Sequence, residues 1–168
     1  MNPNDDTRVP QEEIRYRTAM DTAVRLLTNR RHTRWELARK LAGRGVGEDT
    51  AAAVIATCER LGYVDDAETA LFYIDELKAK GYGRRHIRFA MQKKGFDEAL
   101  IDDGITRRYP PAEETDAALR MALKKRKSLS GKKADRALRE KTYRYLYSRG
   151  FSADAVNDAM SAAFTGDP

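Results

Sequence analysis

A short cassette centred on a glycine occurs three times in the chain, and it constrains the fold more than any other feature. Each copy ends in a basic residue, a glycine and an apolar residue, as in Lys94-Gly95-Phe96. A glycine in that place supplies the left-handed residue that closes a helix, and the apolar residue packs back on the last turn. The other copies centre on Gly45 and Gly150, so the glycines recur at intervals of 50 and 55 residues. Such spacing is typical of tandem helical repeats.

The segments between the glycines have the apolar spacing and the end signals of helices. Thr33 and Glu36 form a capping-box pattern at one helix start, and Ser152 is placed to cap the last helix. Each unit predicts a helix, a basic helix, a glycine turn and a helix that begins with acidic residues. We therefore predict an all-α protein of three tandem three-helix repeats. Their boundaries are 11–62, 63–109 and 110–165, after a disordered tail at 1–10, with a linker-like stretch at Ser128–Gly131.

The composition indicates which type of partner and which cellular compartment suit this chain. The chain holds 32 Lys and Arg against 26 Asp and Glu, and a net charge of +6 favours a polyanionic or acidic partner. The single cysteine, Cys58, excludes an internal disulfide and fits a reducing compartment. The longest apolar run, Ala51–Ala56, is too short to span a membrane, and the N-terminus lacks the pattern of a signal peptide. These features predict a cytoplasmic protein that does not enter a membrane.

Positive charge is concentrated around the second helix of each repeat. Most of the basic residues fall in three segments: Arg30–Arg44, Lys78–Phe96 and Lys124–Arg149. When the repeats are aligned on their glycines, Arg34, Arg84 and Arg139 share one position. Repeats that stack alike would join these helices into a basic ridge, whose affinity for a polyanion would fall steeply with salt. A merely solvated surface is the alternative interpretation of such helices.

Several residues are of types found in catalytic, metal-binding or phosphate-binding sites, but structural roles explain them better. Asp65 and Asp66 are placed to cap a helix, and His32 and His86 have no partner at metal-ligand spacing, so we expect surface histidines. Cys58 lies on an apolar helical face and is expected in the core. Gly81-Tyr82-Gly83 lacks the lysine–hydroxyl ending of a phosphate-binding loop. The sequence therefore predicts a binding protein with no catalytic residues, metal or cofactor.

The aromatic residues of the basic segments are expected mainly in the core. For Trp35, packing against the preceding helix is favoured over stacking on a base or a partner. Tyr143 and Tyr147 share a helical face with Leu146 and are assigned to the core, whereas Tyr145 is expected to point elsewhere.

Three segments, in this order, make the chain resemble the RecX family, which regulates the RecA recombinase: Arg31–Leu41, Leu61–Asp66 and Lys80–Arg88. The resemblance implies three tandem three-helix units in an elongated, curved monomer. It implies binding to RecA and to the RecA–DNA filament, with suppression of filament growth and of recombinase and coprotease activities. It implies no enzyme activity, and no catalytic or ligand residues transfer from the family.

Given this resemblance, we expect the basic residues to contact DNA phosphate or acidic patches on RecA. The residues expected to carry this electrostatic contact are Arg34, Arg39, Arg84, Arg85, Arg88, Lys94, Arg139 and Arg149. No base-reading motif is evident, so any direct DNA contact is expected to be independent of sequence. The alternative is a stand-alone nucleic-acid-binding or transcription-regulating protein, because three-helix units with glycine turns superficially resemble helix-turn-helix repeats.

Overall fold

A computed structural model describes residues 10–129 and 135–164, and over these ranges the chain forms helices joined by short turns, without strands. The helices are α1 Gln11–Asn29, α2 Arg34–Ala42, α3 Glu48–Arg60, α4 Asp66–Ala79, α5 Arg84–Lys93, α6 Glu98–Arg108, α7 Pro111–Leu129, α8 Asp135–Ser148 and α9 Ala153–Phe164. The prediction of an all-α chain is confirmed. Apart from Pro10, the predicted disordered tail lies outside the described residues.

The chain divides into two compact units, Met1–Thr69 and Ala70–Pro168. The first contains α1 to α3 and the start of α4, around a core that includes Ala23, Leu37 and Val54. Cys58 is fully buried in that core, as predicted, and burial raises the pKa of its thiol. The Tyr16 hydroxyl donates a hydrogen bond to Thr57 Oγ1 at 2.8 Å, which links α1 to α3.

The second unit contains the rest of α4 and α5 to α9. One hydrophobic core runs through it, from Ile74 on α4 and Ile87 on α5 to Leu146 on α8 and Phe164 on α9. The second and third predicted repeats therefore share a core. This follows from their apolar stripes, because the helices of both repeats bury their stripes against one another.

The glycine turns have the geometry that the cassette predicts. Gly45, Gly95 and Gly150 have φ of +78°, +73° and +77°, the left-handed conformation that glycine adopts without steric cost. In each turn the amide of the following apolar residue donates to the carbonyl five residues back; for Val46 and Leu41 the distance is 3.2 Å. The turns therefore close α2, α5 and α8 in the same way.

Gly83 has a role that its sequence context does not reveal. Its amide donates to the Arg149 carbonyl at 2.9 Å, and the Arg85 amide donates to the Gly150 carbonyl at 3.0 Å. A Cβ at Gly83 would lie 2.3 Å from Phe151 Cα, far inside van der Waals contact. The turn before α5 and the turn after α8 thus meet backbone to backbone, and only glycine fits there.

Two structural expectations are wrong. Ser128 and Leu129 belong to α7, where the Ser128 hydroxyl donates to the Lys125 carbonyl at 2.8 Å, so the predicted linker begins as helix. Its remaining residues lie outside the described ranges. His32, expected at the surface, is 3% exposed. It immediately precedes the N-cap Thr33, a position from which side chains often pack on the first turns of the helix.

Replacing Gly83 by alanine should destabilise the protein by at least about 2 kcal/mol, because the added methyl group meets backbone that cannot give way. Urea unfolding followed by far-UV circular dichroism measures the change. Gly47→Ala is the matched control, since Gly47 has open space around it and a φ of −62°. Its cost should stay below about 1 kcal/mol. Equal destabilisation by the two variants would contradict the close approach at Gly83.

Protonation of His32 should destabilise the fold. Its Nδ1 lies 2.9 Å from the Arg30 carbonyl, and burial lowers the pKa of the ring. Nε2 is buried and has no hydrogen-bond partner among the described residues. The unfolded state then binds more protons once the pH falls below about 6.5, so the free energy of unfolding drops as the pH decreases through that value. Thermal unfolding at about pH 7.5 and about pH 5 should show a smaller loss in His32→Asn than in the parent protein. An identical loss of thermal stability in both proteins would contradict this prediction.

Candidate electrostatic interface

Three of the predicted contact residues meet around one cavity. The first two turns of α5 place Arg84, Arg85 and Arg88 beside a cavity of about 170 Å³ in the second unit. Glu114 of α7 and Ser152 at the start of α9 line the same cavity. The structure therefore brings together guanidinium groups that the sequence places on one helix.

Glu114 anchors the start of α5, where Arg84 lies. Its side chain is 1% exposed, and its carboxylate accepts hydrogen bonds from the Arg84 amide and the Ser152 hydroxyl, both at 2.8 Å, and from the Ser152 amide at 3.2 Å. It ties the start of α5 to the start of α9. Its place in the first turn of α7 gives no local sequence signal for this role. In the first unit Asp66 makes the equivalent bond, accepting from the Arg34 amide at 2.8 Å.

The arginines of the cavity differ in their partners. Arg88 forms ion pairs with Glu98 and Asp102, and its hydrogen bond to Asp102 is the main reason that its pKa is raised. Arg85 is exposed and lies 4.6 Å from the centre of the Tyr147 ring. Arg84 is half-buried against the cavity. An anion that approaches would compete with two carboxylates for Arg88 but not for Arg85.

The other predicted residues of the second unit lie elsewhere. Arg149 donates to the Lys80 carbonyl at 2.7 Å and lies 4.5 Å from the Tyr82 ring, which in turn stacks on His86 at 3.8 Å. Arg149 therefore helps to hold the junction of the two glycine turns. Lys94 lies over Tyr73 at 4.9 Å and Arg139 over Phe164 at 5.0 Å, and neither lines the cavity.

In the first unit the two predicted residues also have different surroundings. Arg34 Nη1 lies 2.9 Å from both carboxylate oxygens of Glu59, in an ion pair across α2 and α3. Arg39 lies 4.5 Å from the centre of the Trp35 ring. Trp35 is 40% exposed and stands outside the core cluster, in contrast to the preferred interpretation of a packed tryptophan.

The assignment of the α8 tyrosines is wrong. Tyr143 and Tyr147 are 42% and 50% exposed, whereas Tyr145 packs against the core. The buried positions Thr142 and Leu146 are four residues apart and set the inner face. Tyr143 and Tyr147 each follow one of these positions directly, so the helix turns them about 100° away from the core.

The acidic pair Asp65 and Asp66 has a structural role, and the described residues contain neither a metal-binding group nor a membrane-spanning helix. Asp65 accepts from the Glu68 amide at 2.9 Å and caps α4, as predicted. Within residues 10–129 and 135–164, no three histidine, cysteine, aspartate or glutamate side chains are grouped so that they could hold a metal ion. Across the same described ranges, every helix is too short or too polar to cross a membrane.

The fold and this surface define an all-helical repeat protein whose candidate interface consists of charged and aromatic side chains. Family models for the first, second and third three-helix domains of RecX match residues 19–58, 65–105 and 112–160. The chain belongs to the RecX family. Each matched range lies inside one predicted repeat, and the outer boundaries of the repeats stay predictions.

Individual relatives agree with this assignment. Regulatory protein RecX of Vibrio campbellii is 32% identical over 144 residues, which cover 86% of this chain and 90% of that protein. Regulatory protein RecX of Mycolicibacterium vanbaalenii is 31% identical over 164 residues, which cover 95% and 89%. The crystal structure of RecX from Lactobacillus salivarius has a TM-score of 0.80 at 21% identity, covering 90% of this chain and 97% of that one, and it supports the fold. These relatives support a regulatory role.

Removing the Glu114 carboxylate should unfold the start of α5. Glu114→Ala leaves three half-buried donors without this acceptor and should cost about 2–4 kcal/mol. Glu114→Gln retains an oxygen acceptor and should cost less. The neighbouring Glu113 is 44% exposed and pairs with Lys78, so Glu113→Ala is the control and should cost below about 1 kcal/mol. Urea unfolding measures all three, and a Glu113→Ala variant as unstable as Glu114→Ala would refute the role of Glu114.

Proposed function

We propose that this protein is a negative regulator of the RecA recombinase. It binds RecA and the RecA–DNA filament, limits filament growth, and thereby restrains recombinase and coprotease activity in DNA recombination and repair. The observation that carries the proposal is the match of three consecutive segments of the chain to the three domains of a regulatory family. The protein acts as a cytoplasmic monomer and by binding alone, without catalysis.

The eight basic residues remain the proposed contacts, and their surroundings rank seven of them. Arg34, Arg88 and Arg149 make ion pairs or hydrogen bonds within the protein. A partner gains less from a cation that is already paired, because the old contact must break first. We therefore expect Arg39, Arg84, Arg85 and Arg139 to contribute more to the binding free energy than the paired arginines.

Arg84 and Arg85 provide the most direct test, because they lie side by side at the cavity. Replacing both by glutamine removes two charges without placing a new carboxylate beside Glu114. The double variant should need about tenfold more protein to inhibit the single-strand-dependent ATPase of RecA, which corresponds to about 1.4 kcal/mol of binding free energy. The measurement is an inhibition curve at fixed salt.

Arg25→Gln combined with Arg60→Gln is the matched control, since both arginines are exposed and lie outside the three basic segments. This control should inhibit like the parent protein. Equal inhibition by the Arg84/Arg85 variant, once its folding is verified, would remove these arginines from the interface. A parent protein that leaves RecA unaffected but binds particular DNA sequences would instead favour the stand-alone nucleic-acid-binding function.

A further inference from the structure

Cations lie over many aromatic rings of the second unit, and these pairs fall into two groups. In one group the ring is buried or packed against the core, as with Tyr82, Tyr109 and Tyr145. In the other group the ring is open to solvent: Phe89 is 55% exposed under Lys93, and Tyr147 is 50% exposed under Arg85. The first group stabilises the fold, whereas the second is available to a partner.

The exposed rings lie on two helices, α5 and α8, which Arg85 links. Lys93 Nζ lies 4.4 Å from the centre of the Phe89 ring. Phe89 and Arg85 are one helical turn apart on the same face of α5. Arg85 reaches over the Tyr147 ring of α8 at 4.6 Å, and Tyr147 stacks on Tyr143 with centroids 6.4 Å apart. We name these five residues the α5–α8 stripe.

The surroundings of the stripe favour an anionic partner. Helix α5 holds Arg84, Arg85, Arg88 and Lys93 and has no acidic residue. Arg88 is neutralised by Glu98 and Asp102, which leaves the charge of the stripe itself on Arg85 and Lys93. The stripe therefore alternates open rings with cations. Exposed rings interleaved with cations are the combination by which single-strand binding surfaces stack bases and hold phosphates.

We propose that the α5–α8 stripe binds single-stranded nucleic acid. Bases stack on the solvent-exposed parts of the Phe89, Tyr147 and Tyr143 rings, while the phosphates lie against Arg85 and Lys93. Stacking on aromatic rings along a basic groove binds single strands without sequence preference. Duplex DNA offers no free base face, so the rings discriminate against it. The inference rests on the proposed function, in which the same helix approaches the RecA–DNA filament, and it adds a direct contact to the strand.

Replacing rings by leucine separates stacking from charge. Phe89→Leu combined with Tyr147→Leu keeps apolar side chains at exposed positions but removes the flat faces. Fluorescence anisotropy with a labelled oligothymidylate of about 16 nucleotides should show at least about tenfold weaker binding, with little change for a duplex of the same length. Arg85→Gln combined with Lys93→Gln should instead reduce the salt slope of single-strand binding by about 1 to 2. Tyr63→Leu is the matched control, because Tyr63 is also 55% exposed and lies in the first unit.

Four outcomes overturn the inference: a parent protein that does not bind oligothymidylate, a leucine variant that binds it like the parent, equal losses for single strand and duplex, and a loss confined to RecA binding in the absence of DNA. The last would make the stripe a protein-docking surface. Circular dichroism verifies that each variant is folded. Inhibition of the RecA ATPase by the parent protein, measured in parallel, tests the proposed function separately. A protein that inhibits RecA without binding oligothymidylate refutes only the stripe, and one that binds without inhibiting refutes only the proposed function.

Discussion

The close approach of two glycine turns organises the second unit. Gly83 and Gly150 let the backbone before α5 and the backbone after α8 exchange hydrogen bonds at 2.9 and 3.0 Å, a separation that side chains would prevent. A Cβ at Gly150 would likewise lie 2.5 Å from the His86 backbone nitrogen. Once these turns are in contact, the apolar faces of two repeats close over one core, and the stacked side chains of Tyr82 and Arg149 cover the junction. The backbone contact and the apolar stripes of the helices thus act together in forming the shared core.

The same junction determines how α5 can meet an anion. The first amides of a helix are usually open and can bind phosphate directly. Here the amides of Gly83, Arg84 and Arg85 already donate to the Arg149 carbonyl, the Glu114 carboxylate and the Gly150 carbonyl. Because the helix start is satisfied from within, an incoming anion is left with the guanidinium groups. Affinity at this surface therefore depends on side chains that substitution can remove without disturbing the helix backbone.

How much of this structure the sequence predicts depends on how far apart along the chain the interacting residues lie. Local signals were sufficient for the glycine turns, the Thr33 capping box and the helical core position of Cys58, since each depends on residues a few positions apart. The bonds of Glu114 join residues 30 and 38 positions apart, and no local pattern contains them. The exposed Tyr143 and Tyr147 were misassigned for a related reason. Their helix has apolar residues on neighbouring faces, and only the packing of Thr142 and Leu146 selects the inner one.

Equivalent positions in the repeats do not have equivalent roles. Arg34, Arg84 and Arg139 align on the glycine register, yet Arg34 pairs with Glu59, Arg84 lines a cavity and Arg139 covers Phe164. The backbone geometry is repeated because every unit needs the same turn, whereas a surface cation takes whatever partner its neighbours supply. The total of basic residues therefore overstates the charge offered to a polyanion. The surface available to a polyanion is set instead by arginines such as Arg85, whose guanidinium lies over the half-exposed ring of Tyr147 rather than against a carboxylate.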